Sequence, residues 1–398
     1  MIKILATGDW HVQDKNIEEA RKCLEFLVET ARKESPDIII NSGDTYDVGG
    51  TKLDSASAKL VFEIVQKLAD IAPVSIITGT TSHDSTSVEP LKYVSAKNTV
   101  HVSTMPEQTY LMSGGVFTKK PDSYDTLPIL TISNVPAPTK RYFNSSGSID
   151  ATNQEIASAM SAIFGGFGAE SAKYDCPHIL SGHFSVSGAF LSEKRQMVGF
   201  DIEISSDQIA LACADIVALG HIHLKQKIQK NIFYSGSLFQ GDTSEFGQDF
   251  GFWIHTIDSA TGLHESKYHT TPFTRLLKLT YDLTDSQAFN ILFTQEKLDQ
   301  IKDSVVKVEV TAFEDEISRI DKEDLIKNLS EAKSYEIKII RTPRENVRSA
   351  NLLKMTTLRE KIMELARLRG EEVPESILLK ADLLETVEGD KIVAGVST

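Results

Sequence analysis

The sequence predicts an α/β protein of more than one domain, and three observations carry that prediction. Short apolar runs alternate with helical periodicity through the first hundred residues, Asp and His recur just past the ends of those runs, and the pattern changes beyond Thr271. A length of 398 residues exceeds one ordinary core. Hydrophobic residues at 41% and charged residues at 25% are the balance of a soluble globular chain, not of a disordered or membrane one. Lys and Arg number 42 against 56 Asp and Glu, a net charge of -14. Such a surface repels polyanions unless cations are concentrated locally. Cys23, Cys176 and Cys213 are far apart and form no CxxC pair, which argues against a disulfide framework and a thiolate zinc site. The opening MIKILATGDWH has neither the apolar run of a signal peptide nor that of a membrane span, so a cytoplasmic protein without membrane contact is expected.

Ile2 to Thr7 reads as a buried strand. Ile17, Ala20, Leu24, Leu27, Val28 and Ala31 recur at helical spacing and predict an amphipathic helix from Ile17 to Lys33, with Cys23 as a small core residue beside the stripe. Asp37 to Asn41 and Val74 to Thr78 read as the next strands, separated by a helix through Leu60, Ile64 and Leu68. Met105 to Asn134 is rich in turns and suits antiparallel strands that make the sheet mixed. A helix is expected from near Thr152. His178 to Leu180, Ile216 to Leu219 and Ile232 to Tyr234 resume the strands, each stopping at a glycine-containing turn. Beyond Thr271, alternation at Leu277, Leu279 and Tyr281 and again at Val306, Val308 and Val310 predicts a second small α/β domain, closed by a strand from Tyr335 to Ile340. Arg341 to Asn346 reads as a linker. Met355, Leu358, Ile362 and Leu365 then form a heptad-like stripe that Gly370 stops, followed by an apolar segment from Ile377 to Leu384.

The chemistry lies where the strands end. Asp9 and His11 follow the first strand as Asp-x-His, a spacing that offers a carboxylate and an imidazole to one cation. Asp44 follows the second strand behind Gly43, His83 and Asp84 follow the third, His183 follows Gly182, and His221 and His223 close Gly-His-Ile-His. Each position alone suits an ordinary turn or core residue. Jointly, the five histidines with Asp9 and Asp44 at the ends of one presumptive sheet point to a metal centre, because open α/β sheets gather their sites there. Two cations about 4 Å apart can clamp a phosphodiester and lower the pKa of a water between them.

The ordered motifs GDWH, Gly43-Asp44, His83-Asp84, Gly182-His183 and Gly220 to His223 resemble those of the calcineurin-like metallophosphoesterases. VALGHIH with the following YSGSLFQ, and LSGHFSVSGA before it, resemble the SbcD-type nucleases of DNA double-strand-break repair within that superfamily. The resemblance implies a mixed β-sandwich flanked by helices over residues 1–270, a small capping domain over 271–341, and a helical ATPase-binding segment over 347–398. It implies two divalent metal ions, by family expectation manganese, one on Asp9, His11, Asp44 and His223 and another on Asp44, His183 and His221. His83 would position the phosphate or protonate the leaving oxygen, and Asp47 would orient His83. One departure stands out: Gly-Asn-His-Asp of the family is replaced by Gly79-Thr80-Thr81-Ser82-His83-Asp84, and a hydroxyl of Ser82 or Thr81, or a water, is expected in place of the asparagine ligand.

The implied partners are DNA and an SMC-like ATPase of the SbcC type, with two nuclease and two ATPase chains in the complex. Lys119-Lys120, Lys140-Arg141 and Lys194-Arg195 are candidate phosphate contacts or ordinary solvated pairs. A small-molecule phosphatase or phosphodiesterase, and a scaffold protein impaired by the altered third motif, are the alternative readings.

Overall fold

The computed structural model describes residues 1–121, 127–138, 149–192, 195–196, 202–258, 264–284, 291, 293–343, 352 and 355–386. They form two compact units, Met1–Leu277 with Ile301–Val305, and Lys278–Gln300 with Val306–Thr398.

The first unit is a sandwich of two sheets between helices. Strands β1 (Ile2–Thr7), β2 (Ile38–Asn41), β3 (Val74–Ile77) and β4 (Val100–Ser103) run parallel in one sheet. The chain then leaves for the second sheet, where β5 (Glu107–Met112), β6 (Val116–Thr118), β7 (Leu130–Val135), β8 (His178–His183), β9 (Ile216–Gly220), β10 (Gln226–Lys227) and β11 (Ile232–Tyr234) lie in the order β10-β11-β9-β8-β7-β5-β6. It returns through β12 (Gly251–Ile257), antiparallel to β1, and β13 (His264–Thr270), antiparallel to β12, which complete the first sheet. This is the mixed sandwich that the family resemblance implies, whereas the strand pattern by itself read as one mixed sheet. Apolar runs reveal strands but not their partners, and two sheets covered on both faces carry the same continuous hydrophobic signature as one.

The period-two alternation of side chains builds three apolar layers. Ile4, Ala6, Ile38 and Ile40 of the first sheet meet Ile132, Ile179, Ile216 and Ala218 of the second between the sheets. Leu5 and Ile39 point the other way, under helices α1 (Ile17–Glu34) and α2 (Ala56–Ala69). Leu180, Val217 and Leu219 pack with Ile156, Met160 and Phe164 of α3 (Ile149–Ser171). Burial of each such side chain contributes ~1.5–3 kcal/mol. Helix α1 runs one residue past the expected Lys33 and ends where Ser35, at φ 49°, donates its N–H to Ala31 O. Cys23 is fully buried on its core face, and all three cysteines are free.

Gly182 and Gly220 are not turns as expected. They continue β8 and β9, pairing with Leu219 and His183 respectively, so His183 ends a strand rather than following one. A Cβ on Gly182 would lie 2.4 Å from the Phe184 ring, so glycine here serves close packing.

Strands β14 (Leu276–Asp282), β15 (Val305–Phe313) and β16 (Ser334–Thr342), in the second unit but for Leu276, Leu277 and Val305, form a three-stranded sheet. Leu279, Val306, Val308, Val310 and Ala312 are buried on it. Strand β16 runs through Arg341 and Thr342, where a linker was expected to start; residues 344–346 lie outside the described residues. Toward the C-terminus, Thr357 and Glu360 form a reciprocal cap on the helix Leu358–Arg369, and Gly370 ends it in the left-handed conformation. Met355 precedes this helix. A partner helix, Glu375–Thr386, packs against it through Arg359, which bonds Glu375 at 3.0 Å and Asp382. Met363, Leu365, Leu379 and Leu383 remain exposed on the pair. Among the described residues no helix is long and apolar enough to cross a membrane.

His178 and His255 are buried in the sheets of the first unit, and burial pushes their pKa down to about 4 and about 3. Both ordinarily titrate near ~6.5, so below that pH the unfolded chain takes up protons that the folded chain refuses. Their contribution to stability is full above pH ~6.5 and is lost as pH falls toward 4. The urea midpoint is expected to drop across that window, and His178→Gln to make the drop shallower; an unchanged slope would refute the assignment.

Candidate metal centre

The loops after β1 and β2 keep the parallel register of their strands. Asp9 N–H donates to Gly43 O at 2.9 Å, His11 N–H to Asp44 O at 3.0 Å and Val12 N–H to Thr45 O at 3.1 Å. To do so while aiming side chains at one point, Asp9, His11 and Asp44 adopt φ of 49°, 43° and 50°, and His221 adopts 92°. Left-handed backbone at a non-glycine residue costs on the order of 1–3 kcal/mol, and four of the sequence-identified residues bear that cost. Glycine at 43 and 79 makes the approach possible. A Cβ on Gly43 would lie 2.7 Å from His183 Nδ1, and one on Gly79 only 2.0 Å from Asp44 Oδ1. Asp84, fully buried, ties the loops after β2 and β3 together by accepting Tyr46 N–H at 2.9 Å and Gly79 N–H at 2.8 Å.

Four imidazoles turn Nδ1 toward an acceptor, and three of them, His11, His183 and His223, bring Nε2 into the cluster of donors. His183 Nδ1 donates to Ser42 O at 2.7 Å, His223 Nδ1 to Glu245 Oε1 at 2.7 Å, and His83 Nδ1 to Asp47 O at 2.7 Å, while His11 Nδ1 lies 3.3 Å from Asp47 Oδ1. A neutral ring with its proton on Nδ1 presents a lone pair at Nε2. His11 Nε2 and His223 Nε2 are then 2.9 Å apart, and His183 Nε2, buried without a hydrogen bond, is 3.2 Å from Asp44 Oδ2. Lone pairs so placed repel one another unless positive charge sits between them. Two nitrogens, each about 2.1 Å from one ion and at right angles, stand about 3 Å apart, so the donors fit a divalent cation.

The electrostatics agree. Burial acts to raise the Asp44 carboxyl, but His183, His11 and His83 outweigh it and hold it well below the usual carboxylate range. Burial likewise acts to lower His183 and His223, yet Asp44 and Asp9 raise the first to about 9, and Glu245 and Asp9 raise the second to about 9. This cluster of buried carboxylates and imidazoles draws cationic charge, whether protons or metal.

Donor atoms of Asp9, His11 and His223 lie within 4.8 Å of one another, as do those of Asp9, Asp44 and His183, and those of His11, Asp47 and His83. His221 stands with its ring 5.3 Å from that of His183, outside these groups, and gives its backbone N–H to Asp9. Asp9, His11, Asp44 and His83 come from the first sheet, and His183, His221 and His223 from the second, so the centre spans the sandwich instead of lining one sheet.

Two expectations need correction. Ser82 does not reach the carboxylates: it is exposed and its hydroxyl is 3.2 Å from that of Thr80. Thr81 is exposed as well. Residues 80–84 close a turn, His83 and Asp84 N–H donating to Thr80 O, which leaves Thr80 on the near side. Its N–H and hydroxyl meet Asp44 Oδ1 at 2.6 and 3.1 Å. Its position directly after Gly79 was the available signal. Asp47 meets His83 through its backbone carbonyl, 2.7 Å from Nδ1, and its carboxylate faces His11 instead. Glu245 was missed, since 22 residues separate it from His223 and no strand end marks it. Of the basic pairs, Lys119 is bound to Glu107 at 2.7 Å, while Lys140, Arg141 and Lys194 lie outside the described residues.

The family model of the calcineurin-like phosphoesterases matches residues 2–225. The chain belongs to that family. Over 71% of its length this phosphoesterase is 26% identical to the SbcD component of nuclease SbcCD from Staphylococcus epidermidis, covering 74% of that protein. It is 28% identical to the same component of nuclease SbcCD from Staphylococcus saprophyticus over 64% of its length and 66% of the relative's. Among solved structures, GAP50, the anchor in the inner membrane complex of Plasmodium, aligns at a TM-score of 0.41 and 14% identity, over 69% of this chain and 89% of that one.

Gly79→Ala drives a methyl group against a buried carboxylate and backbone, an overpacking cost of ~1–3 kcal/mol. A lowered urea midpoint together with weakened manganese binding is expected. Parent-like values for both would show that the two loops do not need their close approach.

Proposed function

We propose that this chain is a metal-dependent DNA phosphodiesterase that processes DNA ends or hairpins as the nuclease component of a complex with an SMC-like ATPase. The observation that supports this reading most is the convergence of imidazole Nε2 atoms and two carboxylates at the strand ends of a chain similar to the SbcD component of nuclease SbcCD. On this reading Asp9, His11, Asp44 and His223 hold one cation and Asp44, His183 and His221 the other, with Asp44 shared. Thr80 takes the place expected for Ser82. Carboxylate and imidazole donors without thiolate suit manganese, iron or zinc, and manganese is the ion the family resemblance implies. Bound divalent cations supply the charge that turns water into hydroxide near neutral pH and offsets charge on the phosphate.

The protein's own groups do the rest. The anchors on Nδ1 keep the ligating rings from turning, so the site is organised before substrate arrives. His83, half-buried beside His11 with ring centroids 4.6 Å apart, has its Nδ1 held by Asp47 O, which leaves Nε2 to carry a proton toward the leaving oxygen. The exposed apolar residues on the paired C-terminal helices support a role for residues 347–398 in gripping the ATPase partner. The full assembly would contain two nuclease and two ATPase chains.

His83→Ala is expected to slow manganese-dependent cleavage of duplex DNA at least ~100-fold while keeping the parent's metal content. His221→Ala is expected to lose one ion. Parent-like cleavage by both variants would overturn these roles, and hydrolysis of bis(p-nitrophenyl) phosphate without cleavage of DNA would favour a small-molecule substrate. Removing residues 347–398 is expected to abolish co-purification with the ATPase and to spare basal cleavage. A truncated chain that still retains the ATPase would place its grip elsewhere.

A further inference from the structure

We propose that Glu245 is a positioning residue that locks His223 in the ring orientation and tautomer needed to ligate a cation. The proposal rests on the reading that His223 holds a metal, and it adds a residue that no strand-end motif contains. Glu245 Oε1 accepts the His223 Nδ1 proton at 2.7 Å, and Oε2 accepts Gly241 N–H at 2.7 Å, so each carboxylate oxygen has its own donor. The side chain is largely buried, at 15% exposure, which gives it little room to swing away. Glu245 ends a short 3-10 turn, Thr243–Glu245, whose start is capped by Asp242 accepting Ser244 N–H at 2.6 Å. That turn, with Gln248, walls a cavity of about 350 Å³ that also touches His221 and His223.

The four rings differ in what holds them. His183 and His83 rely on backbone carbonyls, which no substitution of the accepting residue removes, and His11 lies at a looser 3.3 Å from Asp47. His223 alone among these four hydrogen-bonds a side-chain carboxylate at short range. A carboxylate on Nδ1 fixes the tautomer and makes Nε2 more electron-rich, and loss of such a partner typically weakens metal binding ~10–100-fold. His223 also has the freedom to turn once its anchor is deleted, since 34% of its side chain meets solvent.

The test is manganese titration of the metal-stripped full-length chain by calorimetry. The parent is expected to bind two ions. Glu245→Ala is expected to weaken one of them ~10–100-fold. Glu245→Gln, which keeps an acceptor oxygen without the charge, is expected to fall between. The cap on this turn is reciprocal, Glu245 Oε2 also accepting Asp242 N–H at 3.4 Å; Asp242→Ala removes the other half of it without touching His223 and is expected to bind as the parent does, and Glu245→Gln keeps an oxygen for the turn, so the two together separate positioning from loop order. Parent-like affinity in Glu245→Ala, or equal weakening in Asp242→Ala, would overturn the proposal. A parent that binds no manganese would instead overturn the metal reading beneath it.

Discussion

The constraint on which the rest of this structure depends is the buried carboxylate of Asp44. An ionised group withdrawn from water is tolerated only where other charges and hydrogen bonds replace the lost hydration. Here the replacement comes from the Thr80 N–H and hydroxyl and from the cationic charge, proton or metal, that His183 Nε2 at 3.2 Å and His11 Nε2 at 3.9 Å hold beside it. Those groups come from the ends of three other strands, so satisfying Asp44 dictates where each of those strands must stop. Glycine at 43 and 79, the left-handed backbone at Asp9, His11 and Asp44, and the clasp through Asp84 all follow from crowding these loops around one oxygen pair.

The local order of the fold could be read from the chain because it is written in periods. The three-four spacing from Ile17 to Ala31 and the alternation in β15 each match the observed element within a residue or two at most boundaries. The pairing of strands is a nonlocal choice, and β7, β8, β9 and β11 carry the same apolar runs whether they extend the first sheet or face it. The site followed the same rule. Asp9, His11, Asp44, His83, His183 and His223, which the fold brings together, could be picked out because chemistry-bearing residues past an apolar run are visible in one dimension, as could His221, which stands outside those groups. Thr80, the carboxylate of Asp47 and Glu245 were not, because their parts depend on how a turn closes or which side chain arrives from another loop.

The acidic character of the chain fits this centre. A net charge of -14 places most of the surface at odds with a polyanion, and the described Lys119 is neutralised by Glu107. On the proposed reading, attraction for phosphate therefore has to be made locally, by ions that the carboxylates themselves recruit. On that reading the carboxylates of Asp9 and Asp44 gather the cations that would bind phosphate.

A second consequence lies in the division of donors between the sheets. Asp9, His11 and Asp44 hang from β1 and β2, whereas His183, His221 and His223 hang from β8 and β9, and the layer between them is made of nondirectional apolar contacts such as Ile4, Ala6, Ile179 and Ala218. Apolar packing sets the distance between two sheets but specifies their lateral register weakly, while a cation with ligands from both faces tolerates errors of only a few tenths of an ångström. Hydrogen bonds already cross that boundary: Ser42 Oγ donates to Ala218 O at 3.1 Å, Ser235 Oγ to Ala6 O at 3.2 Å, and His221 N–H to Asp9 at 2.9 Å. These polar contacts supply the lateral precision that the core cannot. They sit beside the ligand candidates because register matters most where the two halves of the site must meet.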